Sequence, residues 1–175
     1  SYTFFKAMGL EIGTSLLEED RLAVAKNLLV RCQEQGVELL LPVDVVLADR
    51  FAEDAQAQIV GRESMLADWQ GVDIGPETRK LYAERMAGAG TVVWNGPLGV
   101  FEMAPFAKGT LAVAQALAAA TEQGAISIIG GGDTAAAITQ MGLAGQMTHI
   151  STGGGASLEC MGGRVLPGGA ALSDK

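Results

Sequence analysis

Ile126-Ser-Ile-Ile-Gly-Gly-Gly-Asp-Thr134 decides the reading of this chain. Ile126, Ile128 and Ile129 form a short β-branched run that reads as a buried strand. Gly130, Gly131 and Gly132 then let the backbone turn and approach a ligand, and Ala135 opens an alanine-rich helical pattern with Asp133 or Thr134 as its cap. A strand that empties through glycines into a helix start presents unpaired N–H groups and the positive end of the helix dipole, which suits an anion such as phosphate. A plain tight turn would use the same glycines. A second copy argues for function: Met147-Thr-His-Ile150, another short strand candidate, runs into Ser151-Thr-Gly-Gly-Gly-Ala-Ser-Leu-Glu159, again glycines before a short helix pattern. Two such loops after successive strands of a parallel sheet lie side by side at its carboxyl edge, where open α/β sheets bind ligands.

Upstream, Thr91-Val-Val-Trp94 reads as a short buried strand that runs directly into Asn95-Gly-Pro-Leu-Gly-Val-Phe-Glu102. Two glycines and a proline define the backbone path of that loop, which displays Asn95 and Glu102. Gly109 to Gln123 is a strong helix with Ala and Leu on nearly every face, expected to be well buried. Nearer the start, Leu16 to Gln35 is the clearest helix, with its acids in the first turn and Gly36 closing it. Val37 to Leu41 and Asp44 to Ala48 read as buried strands separated by Pro42, and Ser1 to Met8 suits a helix face or a strand. Residues 50–69 read as an irregular excursion with strand fragments, Gly71-Val-Asp-Ile-Gly-Pro76 as a turn in which Asp73 caps, and Pro76 as the start of another helix. Gly162 to Gly169 reads as a loose glycine-rich tail. Alternation of strands and helices at this spacing is an α/β signature.

At 175 residues and 49% hydrophobic composition the chain suits one domain with a sizeable alanine- and valine-rich core. A formal charge of −8 argues against nucleic acid and anionic membrane surfaces as partners. Nine of the twelve basic residues precede Gly90, so the glycine-rich half must hold any phosphate chiefly through backbone N–H groups and helix ends. Cys32 and Cys160 do not form a disulfide or zinc pattern and are expected to be reduced core residues. No apolar run approaches the ~20 residues that span a bilayer, and a soluble cytoplasmic protein is expected.

Gly130, Gly132 and Ala135 satisfy G-x-G-x-x-A, but a dinucleotide site also wants an acid about 20 residues on, where this chain has Ser151 and Thr152. There is no Walker loop and no G-x-S-x-G, and His149 sits in an apolar strand pattern that suits a core histidine. A nucleotide di- or triphosphate site with unusual loops remains, with Asp133 placed to hold Mg²⁺ against phosphate oxygens.

Val93-Trp-Asn-Gly-Pro-Leu-Gly-Val-Phe-Glu102, Gly130-Gly-Gly-Asp-Thr134 and Ser151-Thr-Gly-Gly-Gly-Ala-Ser-Leu-Glu159 together closely resemble phosphoglycerate kinases. Leu41-Pro-Val-Asp44, Gly71-Val-Asp-Ile-Gly-Pro76 and Leu166-Pro167 follow the family's order as well. The resemblance implies a three-layer, doubly wound, mostly parallel Rossmann-like α/β domain, here partial: residues 1–175 would be most of the C-terminal nucleotide-binding domain of a two-domain kinase, without its N-terminal domain. It implies Mg²⁺ as cofactor, ADP and ATP as substrates, and 3-phosphoglycerate or 1,3-bisphosphoglycerate bound through the absent N-terminal domain of a monomeric enzyme. By motif, Gly71 and Val72 with Pro97 and Leu98 would line the adenine pocket and Glu102 would hold the ribose. Asn95 would also belong to the nucleotide site. Gly131, Gly132, Asp133 and Thr134 would hold the phosphates and metal, and Gly153, Gly154 and Gly155 would face the transferring phosphoryl group. Val72 stands where the family often has leucine, and the family's phosphate-binding lysine and substrate-binding basic patch belong before Ser1.

Overall fold

The computed structural model describes residues 1–166, so Pro167 and the end of the glycine-rich tail lie outside the described residues, as does the Cys160 side chain. The chain divides into two compact units, Ser1–Tyr82 with Leu98–Gly109, and Ala83–Pro97 with the residues from Thr110 onward.

The first unit is built on a three-stranded antiparallel sheet. Strands β1 (Asp44–Ala48), β2 (Ala57–Gly61) and β3 (Gln70–Ile74) lie in the order β2-β1-β3, with β1 in the centre. All five β1 residues are buried, and the alternation of a strand sends the four apolar ones, Val45 to Ala48, to two clusters. Val45 and Leu47 pack with Phe5, Ile12 and Met65 on one side, while Val46 and Ala48 pack with Val72 and Phe106 on the other. Ser1 to Met8 resolves as a helix, α1 (Tyr2–Ala7), which buries Phe5 fully with the Tyr2 ring edge-on to it. Helix α2 (Leu22–Glu34) starts later than its apolar pattern suggests, because Glu19–Arg21 forms a 3₁₀ turn; only Ala25 is buried on it. Cys32 is half-buried rather than a core residue.

Two segments differ from the sequence reading. Val37 to Leu41 takes no strand pairing among the described residues, and Val37 is 56% exposed; with only Val37 β-branched, this apolar run becomes a strand only beside a partner. Gly71-Val-Asp-Ile is not a turn but most of β3, with Val72, Asp73 and Ile74 buried. Gly71 is a glycine there because a Cβ would run into the Tyr2 phenol, not because the chain reverses.

Helix α3 (Pro76–Met86) follows with Pro at its first position, and its first turn is satisfied from the sheet. The Asp44 carboxylate of β1 accepts the N–H groups of Glu77 and Thr78 at 3.0 and 2.8 Å and the Thr78 hydroxyl at 2.6 Å. Helix α4 (Lys108–Glu122) is served in the same way: the Asp73 carboxylate of β3 accepts the Gly109 N–H at 2.7 Å.

The second unit carries the expected parallel sheet. Strands β4 (Thr91–Asn95), β5 (Ile126–Gly130) and β6 (His149–Ser151) lie in that order, with α4 between the first two in sequence and α5 (Gly132–Gln140) between the next two. Helix α6 (Gly154–Met161) follows β6. The α4 burial is a stripe of Val113, Ala114, Leu117, Ala118 and Ala120 rather than every face. Ile129 is buried, but Ile126 is 48% exposed at the start of its strand, and His149 is exposed at the beginning of β6, so the core-histidine reading does not hold. No helix among the described residues is long and apolar enough to cross a membrane.

Candidate functional site

Parallel strands β4, β5 and β6 end together at Asn95, Gly130 and Ser151, which are register neighbours in the sheet. Everything the chain does next happens at one edge. After Gly130 the backbone enters the left-handed region at Gly131 (φ 92°), which ends the strand and starts α5 within a single residue. The Gly131 N–H bonds the Ser151 carbonyl at 3.1 Å, tying the first glycine loop to the end of β6. From there Gly153 and Gly154 lead into α6, and Gly154 lies so close to Gly131 that no side chain would fit. A Cβ on it would stand 2.5 Å from the Gly131 nitrogen and 2.6 Å from both the Gly131 Cα and the Asn95 Oδ1. Gly130 and Gly131 also face Asn95, whose Oδ1 would be 3.1 Å from a Cβ at either.

Three loop ends therefore meet: Asn95 from β4, Gly130 and Gly131 from β5, Gly154 from the start of α6. Two helix N-termini open at that meeting point, and Gly132 and Asp133 in the first turn of α5 are exposed. Among the described residues no side chain caps α5; its N-cap is Gly131. Neither Asp133 nor Thr134 caps it, which corrects the sequence expectation. Both lie inside the first turn, too late to bond its leading amides. Thr134 is buried and turned to another use, with its Oγ1 accepting the Gly96 N–H at 2.8 Å. Gly96 itself has φ 105°, and its carbonyl accepts the Trp94 indole N–H at 2.7 Å, so both of its backbone groups are held. Sequence reasoning noticed Gly96 only as part of a glycine-proline loop; the signal available was its place directly after a strand.

Like α1 and α2, α5 has no side-chain cap among the described residues, whereas the first turns of α3 and α4 each receive a buried carboxylate. A helix end left open at the surface is where an external anion can take the place of a cap. Asp133 is the acid in that turn. Among the described residues no group of three His, Cys, Asp or Glu side chains could cage a metal. An apolar groove of about 470 Å³ lies nearby in this unit, walled by Val93, Ile128, Ala156 and Met161. Ser151 and Gly153 of the second glycine loop line it as well, so the groove opens beside the loop ends.

The residues expected at the base and ribose fall in two places. Pro97 is half-buried at the end of the β4 loop in the second unit, while Gly71, Val72, Leu98 and Glu102 belong to the first. There the Val72 side chain lies in the core with Val46, Ala48 and Phe106, leaving its backbone for other partners; its carbonyl accepts the Val100 N–H at 2.9 Å. Gly71 donates its N–H to the Ser15 hydroxyl at 2.9 Å. Glu102 is exposed. Beneath this loop sits Asp73, 2% exposed, its carboxyl pushed up to about 6 by burial against the opposing pull of the Gly109 and Ile74 N–H groups, Arg79 and Lys108.

Comparison with known proteins gives one answer throughout. The family model described as phosphoglycerate kinase matches residues 1–164. A phosphoglycerate kinase of Chloroherpeton thalassium is 59% identical over 173 residues, covering 99% of this chain and 44% of that relative. One of Synechococcus elongatus is 56% identical, with 43% of its length covered. Among solved structures, a phosphoglycerate kinase of Coxiella burnetii superposes with a TM-score of 0.89 at 46% identity, over 94% of this chain and 42% of that one. One of Pyrococcus horikoshii superposes with a TM-score of 0.76 at 31% identity. The chain thus spans less than half the length of the relatives it matches.

Proposed function

The chain belongs to the phosphoglycerate kinase family, and from that premise we propose that the complete protein moves a phosphoryl group between 1,3-bisphosphoglycerate and Mg-ADP, giving 3-phosphoglycerate and Mg-ATP. In this reading the present residues supply the nucleotide side. The observation that carries it is the uncapped first turn of α5 meeting Asn95 and the start of α6. Phosphoryl transfer asks for positioning and charge neutralisation more than covalent chemistry, and preformed backbone donors provide both without reorganising.

Gly131, Gly132 and Thr134 form the turn whose amides face the nucleotide phosphates, and Gly153, Gly154 and Gly155 form the second turn, facing the phosphoryl group in transfer. Asp133 would hold Mg²⁺ together with phosphate oxygens and water, and the ion would supply the positive charge that the glycine loops lack. Thr134 acts by holding Gly96, and with it the path of the Asn95-Gly-Pro loop. Glu102 offers a charged acceptor for ribose hydroxyls, while Gly71, Val72, Pro97 and Leu98 are assigned to the base, Val72 through its backbone. The acid substrate needs cations that the residues after Gly90, with three lysines and arginines, do not provide. We assign it to the longer protein's other domain, and a cytoplasmic, monomeric enzyme goes with that assignment.

Calorimetry on the complete protein tests the reading. Parent protein should bind ADP more tightly with Mg²⁺ than without, and Asp133→Asn should remove most of that difference. Equal Mg-ADP affinity in mutant and parent would take the metal from Asp133. Absence of any nucleotide binding and of turnover in a coupled assay would leave only a structural relative of the family.

A further inference from the structure

Asp73 lies in none of the three loops that end the parallel strands, and the sequence reading gave it only a capping role in a turn. Its surroundings give it one. The segment Leu98–Gly109 leaves the second unit's β4 loop, joins the first unit and returns to begin α4. It carries Leu98 and Glu102. Inside the first unit this segment rests on Asp73 at both of its ends. At the far end the Gly109 N–H bonds the carboxylate at 2.7 Å, and a Cβ on Gly109 would collide with Asp73 Oδ1 and stand 2.6 Å from the Ile74 side chain. At the near end a Cβ on Gly99 would collide with the same Oδ1 and stand 2.5 Å from the Phe106 carbonyl. Between these points Val100 N–H bonds the Val72 carbonyl, and Phe106 fills the core beside Val72. The carboxylate is held in turn by the Ile74 N–H at 2.8 Å.

From this geometry we infer that Asp73 is the positioning residue of the Leu98–Gly109 segment, setting where Leu98 and Glu102 stand and so acting on the nucleoside end of the nucleotide while touching none of it. The inference rests on the nucleotide reading above. Two glycines at 99 and 109 exist to let one carboxylate pass between them, which makes the segment's path depend on that group's charge and shape. An ionised carboxylate accepts from the Gly109 and Ile74 amides at once; an amide side chain of equal size can accept from one and must point an N–H₂ at the other. The charged groups that face Asp73 are Arg79 of α3 and Lys108 of α4, which favour its ionised form; the Tyr2 phenol of α1 is held protonated first by its own burial and then by the Asp73 charge.

The test compares Asp73→Asn with parent in the complete protein, using Mg-ADP and inorganic triphosphate as separate probes. Loss of one charge-assisted bond predicts an ADP Kd raised about tenfold, with triphosphate Kd within about twofold of parent and KM for ADP rising more than kcat falls. Faster hydrogen exchange at the Gly109 amide should accompany it. Equal losses for both probes, or no loss for ADP, overturn the inference. If parent itself binds neither probe, the nucleotide reading has failed instead. Should Asp73→Asn not fold, Gly99→Ala presses on the same carboxylate from the other side and must give the same ADP-selective loss; an equal loss for triphosphate overturns the inference there too.

Discussion

Gly154→Ala adds one methyl at the place where the two glycine loops meet. The methyl carbon would lie 2.5 Å from the Gly131 nitrogen and 2.6 Å from the Asn95 Oδ1 and the Gly131 Cα, whereas ordinary contacts of such an atom run from 3.4 to 4 Å. Two of the three obstacles are backbone, so no side-chain rotation clears them. The start of α6 must move away from Gly131 by roughly 1 Å, at the ~1–3 kcal/mol that overpacking costs. A displacement of that size at a catalytic centre can cost about 10²-fold in rate. Gly155→Ala is the matched control: nothing lies within 4 Å of its Cβ, its φ is unexceptional, and alanine in a helix gains up to ~1 kcal/mol over glycine. Thermal unfolding of both variants in the complete protein, with Mg-nucleotide binding by calorimetry, separates the cases. Gly154→Ala should lose stability and affinity together; Gly155→Ala should keep its stability and lose affinity only if phosphate occupies the space before it. A Gly154→Ala protein as stable as parent would refute the close approach itself.

Thr134→Val should leave the Gly96 N–H without its acceptor and cost about 1–3 kcal/mol, while Thr134→Ser should recover most of it; equal Tm values for the two variants would mean the 2.8 Å bond carries no weight. Asp73 has its pKa raised from an ordinary 3.8 to about 6, so the folded protein holds this proton more tightly than the unfolded chain. Its contribution to stability is therefore full below about pH 4 and is lost as pH rises through about 6, by at most ~3 kcal/mol. Denaturant unfolding of parent and Asp73→Asn across that range should show the parent losing stability relative to the mutant as pH rises. Parallel curves would mean burial does not perturb this carboxyl.

The parallel half of the fold was legible because its signals are local. Ile126 to Gly132 and His149 to Gly154 each end a strand and begin a helix within a few residues; the first does so through Gly131 at a left-handed φ, and the second through glycines whose missing side chains let the two loops approach. The antiparallel half was harder to read. Gly71-Val-Asp-Ile carries a glycine that meets Tyr2 across 69 positions of sequence, and nothing in the neighbouring residues distinguishes that close approach from a turn. Val37 to Leu41 failed in the opposite sense, having strand propensity without a described neighbour. At the site, the glycines and Asp133 stood out by composition, whereas the Thr134–Gly96 bond and the place of Asp73 under Gly99 depend on distant register and were invisible beforehand.

The near-contact of Gly154 with Gly131 and Asn95 also bears on how these loops can change over time. A larger residue at 154 is admissible only if 95 shortens and the backbone at 131 shifts, so single steps fall into a trough while a matched set need not. In a double-mutant cycle, Gly154→Ala with Asn95→Gly should be less harmful than the sum of the two changes. On this geometry a side chain at 154 is constrained by 95 and 131 together, so the three positions at this edge of the sheet are sterically one unit.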